Sequence, residues 1–245
     1  MTAPPQRTIL ILGSSVAAGQ CASSGRGWAD LLEAALVDRY GANYRVLNAA
    51  VGGANTGVTA LYAASVGGAD LRPDVVVVAL GLANEGLPWA TDARDVEKLC
   101  ASFLAGLRAV ADAAKRRWGR GIAIIFGGVY PFGLGEGGPG YDDAQRAALG
   151  RVHEAMLAWD EPVLPFLSFS GDRQRCRWLP GTAVDVGHPN DRGHRNMFDA
   201  VDLDLFAPGA VARVDDAPRR LARLEVPPAR RLWTYYGLEK LVWPP

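Results

Sequence analysis

The stretch TILILGSSVAAGQ, Thr8 to Gln20, runs an apolar segment straight into two adjacent hydroxyls set between glycines. A short apolar run bounded by turn residues fits a strand buried on both faces, as the strands of a parallel sheet are. Gly13 and Gly19 permit a tight turn at its end, with Ser14 and Ser15 inside it. In an open parallel sheet, ligands bind beyond the carboxyl ends of the strands, which is where these hydroxyls would stand. The fold therefore turns on whether the pattern repeats downstream.

It does repeat. Apolar runs stand at Tyr44 to Val51, Asp74 to Leu80, Gly121 to Val129 and Pro162 to Phe169, each bounded by Gly, Pro, Asn or Asp. With Thr8 to Leu12 they make five expected strands. Stretches of helical period separate them, over Gly27 to Tyr40, Thr56 to Val66, Asp92 to Arg117, Tyr141 to Trp159 and Asp191 to Phe206. Thr91 or Asp92 is available as an N-cap, and Asp142 and Asp143 suit the positive end of the helix they precede. This alternation predicts one α/β domain over residues 1–206, a parallel sheet with helices on both faces. No internal repeat is present.

Beyond Phe206 the sequence mixes prolines, arginines and aromatics without a sustained period. Arginines interleaved with Trp233, Tyr235, Tyr236 and Trp243 also occur on nucleic-acid surfaces. The commoner use of such a tail is an arm that packs on its own domain or on a neighbouring subunit. Residues 207–245 are expected to be that arm, a route to a homo-oligomer.

Composition narrows the partners. The 26 basic and 26 acidic side chains cancel, so no global field recruits nucleic acid or anionic membrane. A small-molecule partner is expected instead. Cys21, Cys100 and Cys176 show no metal-ligand or disulfide spacing and fit free buried thiols in a reducing compartment. The start of the chain has no signal-peptide pattern and no segment has the length of a membrane span, so a cytoplasmic location is expected. There is no HExxH and no acidic cluster, so neither metal nor cofactor is expected.

Polar clusters fall at four strand ends or late loops: Ser14-Ser15, Gly52 to Asn55, GLANEG (Gly81 to Gly86) and DVGHPN (Asp185 to Asn190). Each is weak alone, since Gly-Ser pairs usually make turns and Asp-x-x-His is common. In this order the set resembles the SGNH (GDSL-type) hydrolase family over roughly residues 8 to 206. The resemblance implies a three-layer α/β/α, flavodoxin-like domain. It makes Ser15 in GSSVAAG the nucleophile, His188 its base and Asp185 the acid that orients His188. Gly53, or Gly52 one residue away, would join the Ser15 N–H and Asn84 in an oxyanion hole.

The chemistry agrees with those residue types. A serine hydroxyl needs an adjacent imidazole to take its proton, and the imidazole needs an acid on its other nitrogen. A tetrahedral oxyanion needs donors aimed at it. The implied reaction is hydrolysis of a short acyl ester of a small alcohol or sugar through an acyl-enzyme. Acyl transfer to an alcohol and a catalytically weak binding module are the alternatives. Substrate contacts are expected from Trp89 and from Tyr130 and Phe132 in the glycine-rich segment Gly127 to Asp143.

Two departures from the family pattern stand out. Ser14 occupies the usual place of an Asp that would bond loop backbone, which leaves a shorter, uncharged group there. One extra residue separates Gly81 from Asn84, so that loop is expected to bulge, with Glu85 a hydrogen-bond acceptor behind it or a solvated residue. A second Asp-x-x-His, Asp191 to His194, falls in the first turn of a helix capped by Asn190 and reads as structural. His153 reads as a surface or boundary residue.

Overall fold

The computed structural model describes residues 6–135, 138–172, 174–208 and 210. In chain order the elements are β1 (Arg7–Gly13), α1 (Trp28–Tyr40), β2 (Tyr44–Asn48), α2 (Thr56–Ala63), β3 (Val75–Ala79) and α3 (Ala93–Trp118). They continue as β4 (Ala123–Gly127), α4 (Asp143–Leu157), β5 (Val163–Leu164), α5 (Phe166–Ser170), β6 (Gly171–Asp172), β7 (Arg177–Trp178) and α6 (Asp191–Phe198). The arm of residues 207–245 lies outside the described residues apart from Ala207, Pro208 and Ala210.

The sheet has five parallel strands in the order β2-β1-β3-β4-β5. Its alternation of faces explains the apolar runs. Leu10, Leu12, Val76 and Val78 pack against Phe103, Leu107 and Val110 of α3 and Leu149 and Val152 of α4. Their neighbours Ile9, Ile11, Val75 and Val77 face the other way, onto Trp28, Leu32 and Leu36 of α1 and onto Phe166 and Met197. β3 is central and every residue in it is buried. Two apolar faces on one sheet need two helical layers to cover them, and the result is the expected α/β/α sandwich.

Side-chain caps set where the helices begin. Asn55 accepts from the Val58 N–H to start α2, Asp92 from Asp95 to start α3, and Asn190 from Arg192 and Gly193 to start α6. Asp142 opens α4 in a reciprocal pair with Gln145. The caps at Asp92 and Asn190 are those expected from sequence.

Several boundaries differ from expectation, among them these three. The run from Pro162 to Phe169 pairs as a strand only at Val163–Leu164 and then turns into the short helix α5. Pro165 brings no N–H to a ladder, so pairing stops there. The last helix ends at Phe198, and Asp202 caps a separate 3₁₀ turn over Leu203–Phe206. β2 is assigned to Asn48, yet the N–H groups of Ala49 and Val51 still donate to Ile11 and Gly13, carrying the connection to Val51. The three cysteines are in no disulfide, and Cys100 and Cys176 are buried as expected, whereas Cys21 is only partly so. Among the described residues, no helix is long and apolar enough to cross a membrane.

Candidate active site

The strand order reverses direction at the boundary between β1 and β3, the place where an open parallel sheet takes its ligands beyond the strand ends. Ser14 and Ser15 follow β1 there, Ser14 fully buried and Ser15 8% exposed. Gly13 is required at the exit, because a Cβ there would stand 2.5 Å from the Ala79 carbonyl oxygen on β3. The chain then coils into a tight turn, with Ala18 donating to the Ser14 carbonyl and Gln20 to that of Ser15.

Ser15 meets the late loop. His188 Nε2 lies 3.0 Å from Ser15 Oγ, across 173 positions of sequence. The other ring nitrogen, Nδ1, lies 2.9 Å from each carboxylate oxygen of Asp185. Asp185 is itself held, its Oδ1 accepting the backbone N–H groups of Gly187 at 2.7 Å and His188 at 2.8 Å. Burial works to raise the Asp185 carboxyl, but the His188 ring and the two backbone donors outweigh it and hold the group below its ordinary value. An ionised carboxylate on Nδ1 leaves the Nε2 lone pair facing the serine.

The donors expected for an oxyanion are the N–H groups of Ser15 and of Gly53 or Gly52, and the Asn84 amide. Neither the Ser15 N–H nor those of Gly52 and Gly53 bond to the protein among the described residues. Gly53 adopts φ +75°, a conformation that favours glycine. Asn84 donates one amide hydrogen to the Ala54 carbonyl at 3.1 Å, which ties the third strand's loop to the second's. An amide carries two such hydrogens, so a second donor remains. The extra residue in GLANEG is absorbed by a 3₁₀ turn over Leu82–Glu85. Glu85 accepts the Thr56 N–H at 2.6 Å and so fixes the start of α2 against that turn.

Of the expected substrate contacts, Trp89 is the exposed one, at 56%. Tyr130 and Phe132 are turned inward, 8% and 6% exposed. Phe132 packs on Tyr141. Tyr130 takes up the Ser14 hydroxyl at 2.9 Å, a partnership with no local sequence signal. Ser14 thus bonds a buried phenol rather than loop backbone.

The second Asp-x-x-His braces the loop that follows Ser15. Asp191 accepts from the Ser23 N–H at 2.8 Å and from the Ser23 hydroxyl, and the buried His194 ring lies 3.2 Å from the Gln20 carbonyl. Between these anchors sits Cys21, partly exposed, with φ +68°. Burial, then the Asp185 charge, raises its thiol pKa. His153 is a correction to the sequence reading. It is 1% exposed, with Nε2 3.0 Å from the Ser168 hydroxyl, because α4 turns this position toward α5.

Comparisons with known proteins bear on the family and the fold. The model of the GDSL-like Lipase/Acylhydrolase family matches residues 11–195. Esterase TesA of Pseudomonas aeruginosa is 29% identical over 161 residues, 65% of this chain and 70% of that protein. A TesA crystal structure superposes with a TM-score of 0.57 at 23% identity, over 80% of this chain and 96% of its own. The lipase Lip_vut3 from a goat rumen metagenome gives a TM-score of 0.64 at 12% identity, covering 80% and 95%. A catalytic mutant of Axe2, an acetylxylan esterase from Geobacillus stearothermophilus, gives 0.58 at 17%, covering 82% and 94%. At these identities the superpositions show a common fold.

Proposed function

Because the chain belongs to the GDSL-like Lipase/Acylhydrolase family, we propose that Ser15, His188 and Asp185 carry out its hydrolase chemistry on a carboxylic ester through an acyl-enzyme. The Ser15 oxygen attacks the ester carbonyl as His188 Nε2 takes its proton, and Asp185 stabilises the imidazolium that forms. The Ser15 and Gly53 N–H groups and the remaining Asn84 hydrogen receive the oxyanion. His188 returns the proton to the leaving alcohol, and a water activated by the same nitrogen releases the acid.

The observation that carries this reading is the chain of contacts from Ser15 Oγ to His188 Nε2 at 3.0 Å and from His188 Nδ1 to Asp185 at 2.9 Å. The substrate is a short acyl ester of a small alcohol or sugar. Exposed Trp89 offers a flat face on which a sugar ring can stack, and Axe2, which shares the fold, is an acetylxylan esterase.

A fluorophosphonate probe followed by peptide mapping tests the assignment. Labelling at Ser15, together with p-nitrophenyl acetate hydrolysis that Ser15→Ala abolishes, is expected. An unlabelled Ser15, or a variant with unchanged rate, overturns it.

A further inference from the structure

Cys21 has no part in that mechanism, yet it faces it. One donor atom from each of Cys21, Asp185 and His188 lies within 4.8 Å of the other two. A thiol, a carboxylate and an imidazole are the ligand set that a zinc-like cation takes. We propose that these three residues form an inhibitory site for a thiophilic divalent cation, and that its occupancy switches the hydrolase off. The inhibitory half rests on Asp185 and His188 being the orienting acid and the base.

The geometry needs little adjustment. With bonds of about 2.3 Å to sulfur and about 2.0–2.2 Å to nitrogen and oxygen, tetrahedral ligands sit roughly 3.3–3.6 Å apart. The wider separations therefore close by up to about 1 Å, while at Nδ1 the His188–Asp185 pair, 2.9 Å apart, parts by about 0.5 Å and gives up its hydrogen bond. Cys21 is held in place from both flanks by the Gln20–His194 and Ser23–Asp191 hydrogen bonds. The thiol proton leaves to solvent as sulfur binds the metal. Coordination through either nitrogen of His188 disables the base. At Nε2 the cation takes the lone pair directed at Ser15. At Nδ1 it forces the remaining ring proton onto Nε2, which then donates and cannot accept.

The test uses the full chain, stripped with a chelator, gel-filtered and titrated with cadmium chloride. Binding is read by the ultraviolet thiolate-to-cadmium charge-transfer band, and inhibition by p-nitrophenyl acetate hydrolysis in the same samples. The expected result is a band saturating at about one equivalent, a rate that falls along the same curve, and loss of the band in Cys21→Ala. The half-inhibiting cadmium concentration should rise about tenfold or more in that variant. Cys21→Ser serves as a second variant that keeps the side chain's size. No band in the wild type, a band that persists in both variants, or equal inhibition of wild type and variants overturns the proposal. The band requires no turnover. Metal-free protein that hydrolyses no ester would overturn the esterase reading and the inhibition with it, while the band still decides whether the metal site exists.

Discussion

The Ser14 hydroxyl and the Tyr130 phenol oxygen lie 2.9 Å apart in the interior, where burial raises the phenol pKa to about 12. Each satisfies the other directly beneath the nucleophile, so removing one partner strands a buried polar group. Ser14→Ala and Tyr130→Phe are each expected to destabilise by about 1–3 kcal/mol. For a chain of this length that lowers Tm by about 2–4 °C per kcal/mol. The double variant should be less destabilised than the two losses added together, because neither group is then left alone. Thermal melts of all four proteins give the cycle, and strict additivity would show that the pair is not coupled.

Asp185 orients His188 through Nδ1, so Asp185→Asn keeps the size of the side chain but not the preferred tautomer. A drop in kcat of about 10⁴-fold is expected, with the folded state retained. The pH dependence has a definite sign. The Asp185 pKa is below its ordinary value in the folded protein. The stability it contributes is therefore fully present above about pH 4 and is lost as pH falls through the depressed folded value. Denaturant unfolding of wild type and Asp185→Asn should differ at pH 7 and converge in strong acid. A gap unchanged down to the lowest pH at which the protein folds would remove this carboxylate from the account.

Asn84 braces the Ala54 carbonyl at 3.1 Å with one amide hydrogen, and in the proposed mechanism its second hydrogen goes to the oxyanion. Asn84→Ala is expected to lower kcat by about 10²–10³-fold, since the oxyanion exists only in the transition state. KM should change much less. Steady-state kinetics separate the two parameters, and a variant that raised KM with kcat intact would assign Asn84 to substrate binding instead.

Much of this arrangement is legible in the sequence. The strands read correctly where one apolar run fills both faces, as in β3, and the helices where an Asn or Asp cap marks the start. Asp185 and His188 are near neighbours, so a motif four residues long brings them together. Reading failed where an apolar run suits two conformations. From Phe166 to Ser170 every residue is buried, as it would be in a strand, and periodicity alone does not separate the two. Long-range pairs outside the family pattern left no trace either. Ser14 and Tyr130 are 116 positions apart, and nothing in the spacing of Cys21 places it beside Asp185 and His188.

The loop after the nucleophile depends on one such long-range pair. Asp191 on the first turn of α6 accepts both the N–H and the hydroxyl of Ser23, 168 positions away. The Ser23 hydroxyl, then its N–H, holds the Asp191 carboxyl below its ordinary value. The brace is therefore present above the ordinary carboxylate range and released as pH falls through the depressed value. Asp191 touches no reacting atom, so it acts by positioning. Asp191→Ala is expected to reduce kcat/KM by more than about twofold and up to about 10²-fold, the scale on which small misplacements of a catalytic group register. Asp191→Asn, which keeps an acceptor, should recover part of the loss. Ser23→Ala combined with Asp191→Ala should lose less than the two single effects added together, and limited proteolysis between Ser23 and Arg26 should accelerate in the Asp191→Ala variant. Unchanged kinetics with faster cleavage would show that the brace orders the loop without serving Ser15.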